Sequence, residues 1–255
     1  MKFRTFLVKM VTGALLAVTI ITSNGCAQEV NEPIQIQSEE IEEIFKQQGA
    51  LNIKLVNKDN EITQEEIDQI KLEKTTDVDG NTVYLEENTL KAFTKLQAAL
   101  KEKGYTIGIN TGFRNLEDQQ DIYDEIKAEQ GQAYADQYVA PVGHSEHHTG
   151  RAIDVNIGRA AIFGKDIPLQ INREYQKTKK ELYAIMADYG FILRYPAGKE
   201  EITGYPEEAW HITYVGTEAA RFITDKNLTL EEYCAIMDQY QEQYAEQSIE
   251  FDEMT

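Results

Sequence analysis

Histidine, the side chain that most often binds metals, is scarce in this chain and unevenly placed. Three of the 4 histidines lie in the segment GHSEHHTG, residues 143–150, and the last is His211 in the segment EEAWHITY. A single histidine in a loop is more often a structural residue than a ligand. The clustering departs from that expectation and raises the hypothesis of a metal site, whose other ligands must come from elsewhere in the chain.

Asp154 is a candidate partner for the histidine segment. It lies in RAIDVNI, residues 151–157, where apolar and polar residues alternate as in a half-buried strand. Asp154 faces away from the apolar side, which carries Ile153 and Val155. A carboxylate that is buried without a partner is strongly destabilising, so we expect Asp154 to face a cation. His147 precedes this strand by a short loop, and a turn could bring the two side chains together.

His211 and Glu208 complete the candidate site. His211 lies on a second predicted strand, HITYV, and Glu208 stands shortly before it. Two histidines and one carboxylate form a common catalytic zinc set that leaves a position for water. Zinc would lower the pKa of that water to about 7. A free carboxylate beside it could take the water's proton and pass it to a leaving amine.

Spacing alone leaves alternatives open. His144 and His148 compete for the ligand position in the loop, because they belong to the same short segment. A purely structural interpretation also fits the spacing. In it the histidines cap the loop, and Asp154 pairs with Arg151 or Arg159.

Three motifs together resemble a known family. SEHHTGRAID, residues 145–154, fits S-x-H-x-x-G-x-A-x-D, and EAWH, residues 208–211, fits E-x-W-H. GFRNLEDQ, residues 112–119, is similar to G-Y-R-S-x-x-x-Q. The chain therefore resembles the VanY-type zinc D-alanyl-D-alanine carboxypeptidases, whose relatives include the vancomycin-resistance D,D-dipeptidases. The resemblance covers about residues 50–225, and three motifs in the same order make it specific.

The resemblance implies a role for each matched residue. It makes His147, Asp154 and His211 the ligands of one Zn²⁺ per chain. It selects His147 over His148, because the single histidine of the pattern falls there. It makes Glu208 the general base and acid.

The third motif implies the substrate-facing residues. Arg114 would polarise the scissile carbonyl and stabilise the oxyanion, a role in which fixed positive charge is effective. Gln119 and Ser145 would support Arg114 and line the substrate site. The simpler alternatives are a surface salt bridge from Arg114 to Glu117 or Asp118, a helix-surface position for Gln119 and a loop cap for Ser145.

The implied activity is removal of the terminal D-Ala from peptidoglycan stem peptides that end in D-Ala-D-Ala. The same site would serve an L,D-carboxypeptidase or a D,D-dipeptidase, and these are the nearest alternatives. A non-catalytic peptidoglycan-binding protein with the same fold is an alternative of another class. Glu208 argues against it, because binding alone does not require that carboxylate.

The aromatic residues near the EAWH motif have two interpretations each. Trp210 is predicted to pack against His211, with lining of the site as the alternative. Tyr195 and Tyr205 could border the substrate, although partly exposed loop positions are the simpler interpretation.

The composition restricts the partners. The chain has 255 residues, of which 44 are acidic and 25 basic, and its formal net charge is −19. Phosphate recognition needs clustered Lys and Arg, so we expect neither nucleic acid nor an anionic lipid surface as a partner. The 2 cysteines, Cys26 and Cys234, are too few for a thiolate zinc site or a disulfide framework. We expect a monomer.

The N-terminal residues predict export. Basic residues precede an apolar run over residues 10–21, as in a secretory signal. Ser23 and Gly25 lead to Cys26 and resemble a bacterial lipobox, in which the cysteine is lipidated, although Ser23 stands where an aliphatic residue is usual. An uncleaved membrane anchor is the alternative. Either form would place the protein at the outer face of the cytoplasmic membrane or in the cell wall.

The remaining pattern predicts the elements that position these residues. Strand-like and helical segments mix without a regular βαβ rhythm, which favours an α+β fold with a small antiparallel sheet flanked by helices in a single zinc peptidase domain. The predicted division is an export signal, a polar tether, the zinc D,D-carboxypeptidase domain and an acidic C-terminal helix, at residues 1–26, 27–49, 50–228 and 229–255.

Two local sequence signals predict the positions of a turn and of a helix. The Asp79-Gly80 pair predicts a tight turn between two strands. Helical spacing predicts a helix over about residues 173–189, which Gly190 would end.

Overall fold

The computed structural model describes residues 53–157 and 169–253, the short pieces 15–18 and 34–37, and the single residues Ile41 and Ile44. The chain divides into two units, Ala50–Cys234 and Met1–Gly49 with Ala235–Thr255. Cys26 and most of the predicted signal and tether lie outside the described residues, so these interpretations stay predictions. Within the described residues, no helix is both long and apolar enough to cross a membrane.

The elements follow one another as short strands and helices of mixed length. The smaller unit contains the antiparallel pair β1 (Leu15–Val18) and β2 (Ile34–Gln37). The strands of the larger unit are β3 (Leu72–Thr76), β4 (Thr82–Glu86), β5 (Ile107–Thr111), β6 (Ala152–Ile157), β7 (Phe191–Leu193) and β8 (His211–Tyr214). The helices are α1 (Gln64–Asp68), α2 (Glu87–Glu102), α3 (Leu116–Gln130), α4 (Gln132–Tyr138), α5 (Leu169–Ile185), α6 (Glu200–Thr203), α7 (Thr217–Asp225) and α8 (Leu230–Glu253), the last of which runs across the unit boundary.

A four-stranded sheet with the order β5-β6-β8-β7 forms the centre of the larger unit, and every neighbouring pair is antiparallel. This arrangement confirms the predicted α+β class. The register places Ile153 opposite Ile212 and Asp154 opposite His211. Successive residues of a strand point to opposite faces, so one face carries the isoleucines and the other carries the polar pair.

The apolar face of this sheet is the core of the unit. Helix α2 contributes Phe93, Leu96 and Leu100, which recur at helical spacing and are fully buried. They pack with α5 and with these buried strand residues: Ile107, Ile109, Ile153, Val155, Ile157, Phe191 and Ile212. Because the core occupies one face, the opposite face is left for the polar residues.

The hairpin β3–β4 borders the site. The predicted turn is present, with Gly80 in the left-handed region at φ 87°. The backbone N–H of Phe113 donates to the carbonyl of Tyr84 at 2.8 Å, and that of Glu86 donates to the carbonyl of Gly150 at 2.9 Å. The hairpin therefore fixes both loops that carry candidate site residues.

Two predicted helices are observed with small changes at their ends. The helix expected over residues 173–189 is α5 followed by a 3₁₀ turn, Met186–Tyr189, that ends at Gly190. Helix α8 begins after Thr229, whose backbone N–H donates to Glu232 Oε2 at 2.7 Å while its hydroxyl accepts the N–H of Glu232. This reciprocal cap fixes the start of the helix.

Candidate active site

The histidine segment forms a loop and a 3₁₀ turn, Glu146–Thr149, directly before β6. Gly150 ends the turn in the left-handed region at φ 66°, where a Cβ would lie 2.9 Å from the backbone nitrogen of Glu86. Glycine is the residue that adopts this conformation without strain. The sharp passage from turn to strand brings His147 beside Asp154, with His147 Nε2 3.4 Å from Asp154 Oδ2.

His147 is oriented by a backbone carbonyl. Its Nδ1 lies 2.7 Å from the carbonyl oxygen of Gly112, which can only accept, so Nδ1 carries the proton. The other nitrogen, Nε2, then faces Asp154 with a free lone pair. A Cβ at Gly112 would lie 2.6 Å from the carbonyl oxygen of Tyr84, so this close approach also requires glycine.

Asp154 and His211 meet across two neighbouring strands, where the sheet register places them directly opposite each other. Nδ1 of His211 lies 3.4 Å from Asp154 Oδ1. The two oxygens of Asp154 therefore face one imidazole each.

These three residues fit a metal ion. One ligand atom from each of His147, Asp154 and His211 lies within 4.8 Å of the others. Nε2 of His147 and Oδ1 of Asp154 are buried and have no hydrogen-bond partner among the described residues. Buried polar atoms normally have partners, so converging unpartnered atoms are what a metal site requires. The donor set suits zinc.

The pKa shifts differ between the two histidines. Burial lowers the pKa of His147, and the Arg114 guanidinium lowers it further. Burial acts in the same direction on His211, but contacts with Asp154, Glu146 and Glu208 outweigh it and raise its pKa well above the ordinary value. Burial opposes ionisation of Asp154, yet the charges of the two histidines hold its pKa well below the ordinary value.

Glu208 stands at the edge of the metal site, in the loop before β8. Its Oε2 lies 3.4 Å from Nδ1 of His211, and its side chain is 20% exposed. The loop is fixed by its own backbone, because the N–H of Glu208 donates to Tyr195 and its carbonyl accepts from the N–H of His211, both at 3.1 Å. A carboxylate beside the metal site and open to the cleft can exchange protons with a bound water.

Arg114 lies in the site and does not form the surface salt bridge that we considered from the sequence. Its Nη1 donates to Gln119 Oε1 at 2.8 Å, and its Nη2 lies 3.4 Å from Asp154 Oδ2. Gln119 is fully buried and donates in turn to the carbonyl of Ala140 at 2.7 Å. The helix-surface interpretation of Gln119 is therefore wrong, and its contacts hold the guanidinium in place.

The remaining predicted residue, Ser145, lines the cleft. It is 4% exposed and occupies the N-cap position of the 3₁₀ turn, as the loop-cap alternative expects, but its side chain makes no capping hydrogen bond. The cleft has a volume of about 230 Å³. Its lining includes the residues of the metal site and also these apolar or aromatic residues: Ile122, Ile126, Tyr138 and Val139.

The aromatic residues near the EAWH motif also line the cleft. Tyr195 and Tyr205 are 6% and 4% exposed, so their interpretation as partly exposed loop residues is wrong. The Tyr195 ring packs edge-on against His211, with centroids 4.9 Å apart. Trp210 lines the same cleft.

The comparison with protein families agrees with this geometry. A sequence model of the VanY family, described as D-alanyl-D-alanine carboxypeptidase, matches residues 82–217. The match covers more than half of the chain and contains all seven predicted site residues. The chain belongs to the VanY family. The resemblance drawn from the three motifs is thereby confirmed.

Two curated members of the family show the extent of the similarity. The bifunctional D-Ala-D-Ala dipeptidase and carboxypeptidase VanXYC of Enterococcus gallinarum is 35% identical over 196 residues, which are 76% of this chain and 98% of that protein. A D-alanyl-D-alanine carboxypeptidase of Enterococcus faecium is 31% identical over 192 residues, which are 71% of this chain and 57% of that protein. The chain thus spans little more than half the length of some curated relatives.

Solved structures of VanY-family relatives share the fold. A variant of the vancomycin-resistance D,D-pentapeptidase VanY, solved in complex with Zn(II), is 33% identical with a TM-score of 0.57, and the match covers 71% of this chain and 97% of that one. The LD-carboxypeptidase LdcB is 31% identical with a TM-score of 0.60, over 70% of this chain and 83% of that one.

The VanY-family motif uses one histidine of the segment, and the structure shows what the other two do. His144 Nδ1 lies 2.8 Å from the carbonyl of Asn57, and His148 Nδ1 lies 2.8 Å from the carbonyl of Arg114. Nε2 of His148 accepts the N–H of Gly143 at 3.3 Å. Both histidines therefore tie loops together at the rim of the site.

Sequence reasoning missed a buried charged cluster behind the site. Glu146 accepts from Arg194 Nε at 2.6 Å and from the hydroxyl of Thr213 at 2.7 Å. Arg194 also donates to both oxygens of Glu231, at 2.9 and 2.5 Å. Burial alone would raise the pKa of Glu146, but Arg194 and His211 outweigh it and lower the pKa to about 2. The available signal was an arginine inside the apolar strand-like segment FILRY.

Proposed function

We propose that this protein is a zinc D-alanyl-D-alanine carboxypeptidase that removes the terminal D-Ala from peptidoglycan stem peptides. The observation that carries the proposal is the convergence of His147, Asp154 and His211 on one point, with Glu208 beside them and a cleft leading to them. The names of the relatives support the choice of substrate, since they include D-alanyl-D-alanine carboxypeptidases.

The metal ligands would come from three different elements of the fold. His147 is supplied by the 3₁₀ turn, Asp154 by β6 and His211 by β8. When bound there, zinc would lower the pKa of a water molecule and act as a Lewis acid towards a carbonyl oxygen.

The protein's own residues would move the proton and hold the charge. Glu208 takes the proton of the attacking water and delivers it to the nitrogen of the departing D-Ala. Arg114, held by Gln119, presents a fixed positive charge to the carbonyl oxygen as it gains negative charge. The apolar residues Ile122, Ile126 and Val139 in the cleft lining suit small side chains such as the methyl groups of D-Ala.

A second candidate uses the same site on other peptides. LdcB, a solved relative of comparable similarity, is named as an LD-carboxypeptidase, so cleavage of tetrapeptides is the main competing function. The bifunctional relative VanXYC makes free D-Ala-D-Ala a further substrate to test.

Product analysis distinguishes these functions. Purified zinc-loaded protein is incubated separately with a stem pentapeptide, a stem tetrapeptide and free D-Ala-D-Ala. The masses of the products are then measured by mass spectrometry. We expect loss of one alanine from the pentapeptide and abolition of that reaction by a zinc chelator. Cleavage of the tetrapeptide alone would indicate the L,D-activity. Absence of cleavage of all three would overturn the proposal in favour of a binding protein.

The Glu208→Gln variant tests the proton transfer. We expect it to retain zinc, because Glu208 is not a proposed ligand, and to lower kcat by about 10²–10⁴-fold, the usual contribution of a general acid–base group. Zinc content is measured by elemental analysis and kcat by D-Ala release. The exposed Glu218, which is paired with Arg221, provides the control variant Glu218→Gln. Near-normal turnover in Glu208→Gln would contradict the assigned role.

A further inference from the structure

We infer that Glu146 is a positioning residue for the metal site, which fixes the orientation of His211 and determines which of its ring nitrogens faces the metal. The inference rests on the proposed zinc site. It assigns a role to a buried cleft residue that stands between two predicted site residues, Ser145 and His147, in the sequence and that the sequence motif does not specify.

The contacts of Glu146 place it behind His211. Its side chain is 3% exposed, and its Oε2 lies 3.5 Å from Nε2 of His211, a buried nitrogen that has no hydrogen-bond partner among the described residues. The opposite ring nitrogen, Nδ1, faces Asp154 and Glu208 at 3.4 Å each. The imidazole therefore has one nitrogen towards the metal site and the other towards a buried carboxylate.

The Glu146 carboxylate is itself held by several groups. Arg194 Nε and the hydroxyl of Thr213 donate to its two oxygens. Thr213 stands two residues after His211 on the same face of β8, and the backbone N–H of Arg194 donates to the carbonyl of His211 at 3.1 Å. Arg194 is fully buried. A carboxylate fixed in this way can hold an imidazole ring at one angle.

The charge balance of the buried cluster also supports this role for Glu146. Its two carboxylates, Glu146 and Glu231, share the single guanidinium of Arg194. Buried charge requires compensation, and the cluster has one negative group in excess. A proton on Nε2 of His211 faces that excess, so this proton stays in place when a cation binds at Nδ1. A carboxylate behind a histidine ligand also raises the ligand's basicity.

Two isosteric variants form the test, because each removes one negative charge from the same cluster. Glu146→Gln changes the carboxylate that faces His211, and Glu231→Gln changes the one on the far side of Arg194. Zinc dissociation constants are measured by chelator competition without substrate. We expect Glu146→Gln to weaken zinc binding by about 10–100-fold, the usual effect of removing such a partner, and Glu231→Gln to leave it unchanged.

Equal weakening in both variants, or none in either, would overturn the inference, since the effect would then come from the charge or stability of the cluster. A wild-type protein that binds no zinc would overturn the proposed function and this inference together. Normal zinc binding by wild type and by Glu146→Gln would overturn the inference alone.

A spectroscopic measurement on the wild-type protein gives a second test, which does not depend on the folding of a variant. In the zinc-loaded protein with ¹⁵N-labelled histidine, ring ¹⁵N shifts show which nitrogen carries a proton. We expect His211 to carry it on Nε2 and His147 on Nδ1. A proton on Nδ1 of His211 would overturn the inference.

Discussion

The two histidines of the candidate metal site are held in opposite ways. His147 turns Nδ1 to a backbone carbonyl, that of Gly112, and leaves Nε2 for the metal. His211 turns Nε2 to the carboxylate of Glu146 and leaves Nδ1. One imidazole thus depends on a neutral acceptor set by the path of the main chain, and the other depends on a charged side chain.

This difference separates what the fold supplies from what particular side chains supply. A carbonyl acceptor is fixed by the hairpin and loop that carry it, so only changes that move the backbone can disturb it. A carboxylate acceptor adds negative charge, and its effect on the ligand can be removed by one substitution. Burial and Arg114 lower the pKa of His147, whereas contacts with the carboxylates of Asp154, Glu146 and Glu208 outweigh burial and raise the pKa of His211.

Removing the carboxylate that both histidines share should have the largest effect. In Asp154→Asn, His147 and His211 both lose the carboxylate that faces them. We therefore expect loss of stoichiometric zinc and of activity. Elemental analysis after gel filtration measures the zinc. Glu208→Gln is the matched control, because it neutralises another carboxylate 3.4 Å from His211 and should retain the metal. Retention of zinc by Asp154→Asn would remove Asp154 from the ligand set.

Arg114 contacts neither imidazole by a hydrogen bond, and its substitution should separate catalysis from metal binding. We expect Arg114→Ala to lower kcat by about 10²–10³-fold, as for loss of one oxyanion-stabilising donor, while zinc content stays at the wild-type level. Steady-state kinetics and elemental analysis provide the two readouts. Arg221→Ala, at an arginine whose side chain is 49% exposed, is the control. Loss of zinc together with activity would show that Arg114 instead maintains the ligand geometry.

A substitution that shifts the backbone at Gly112 should disturb the orientation of His147 and leave that of His211 unchanged. A Cβ at Gly112 would lie 2.6 Å from the carbonyl oxygen of Tyr84, so Gly112→Ala must shift the carbonyl that orients His147. We expect a loss of about 1–3 kcal/mol in unfolding free energy, as for overpacking, and zinc binding that is weaker by about 10-fold. Gly108→Ala on the same chain segment is the control, since its Cβ would meet the side chain of Val78, which is 47% exposed and can move. Unchanged zinc affinity in Gly112→Ala would show that the carbonyl is dispensable.

The parts of this site that could be predicted from sequence are the ones encoded locally. Alternation in RAIDVNI indicated that Asp154 leaves the apolar face of its strand, and the structure places it there. The choice of His147 over His148 came from the family pattern, since spacing did not distinguish them. Strand and helix signals sufficed for the α+β class because each depends on a few neighbouring residues.

The parts that could not be predicted depend on contacts between distant segments. Glu146, Arg194 and Glu231 are far apart in sequence, and nothing local indicates that their charges are buried together. The burial of Gln119 and Tyr205 was missed for the same reason, because helix and loop periodicity do not show which neighbour covers a side chain. Polar residues buried by tertiary contacts are the ones that local sequence rules place at the surface.

The smallest expected effect is a difference in titration between the two histidines of the metal-free protein. His147 should titrate below the ordinary pKa of 6.5, because burial and Arg114 disfavour its charged form. His211 should titrate above 6.5, because Asp154, Glu146 and Glu208 outweigh its burial. NMR titration of the ring protons measures both, and Glu146→Gln should lower the pKa of His211 while leaving that of His147 in place.

The signs of the two shifts have opposite consequences for stability. The raised pKa of His211 contributes stability that is fully present below pH 6.5 and is lost as the pH rises through its folded value. The lowered pKa of His147 acts the other way, so burying it neutral costs stability as the pH falls below 6.5. Zinc binding at the proposed site would therefore displace a proton from His211 but none from His147 near neutral pH, and zinc affinity should rise with pH. Identical titration of the two rings would show that the carboxylates around His211 do not outweigh its burial, and the contrast between the two histidines would fail.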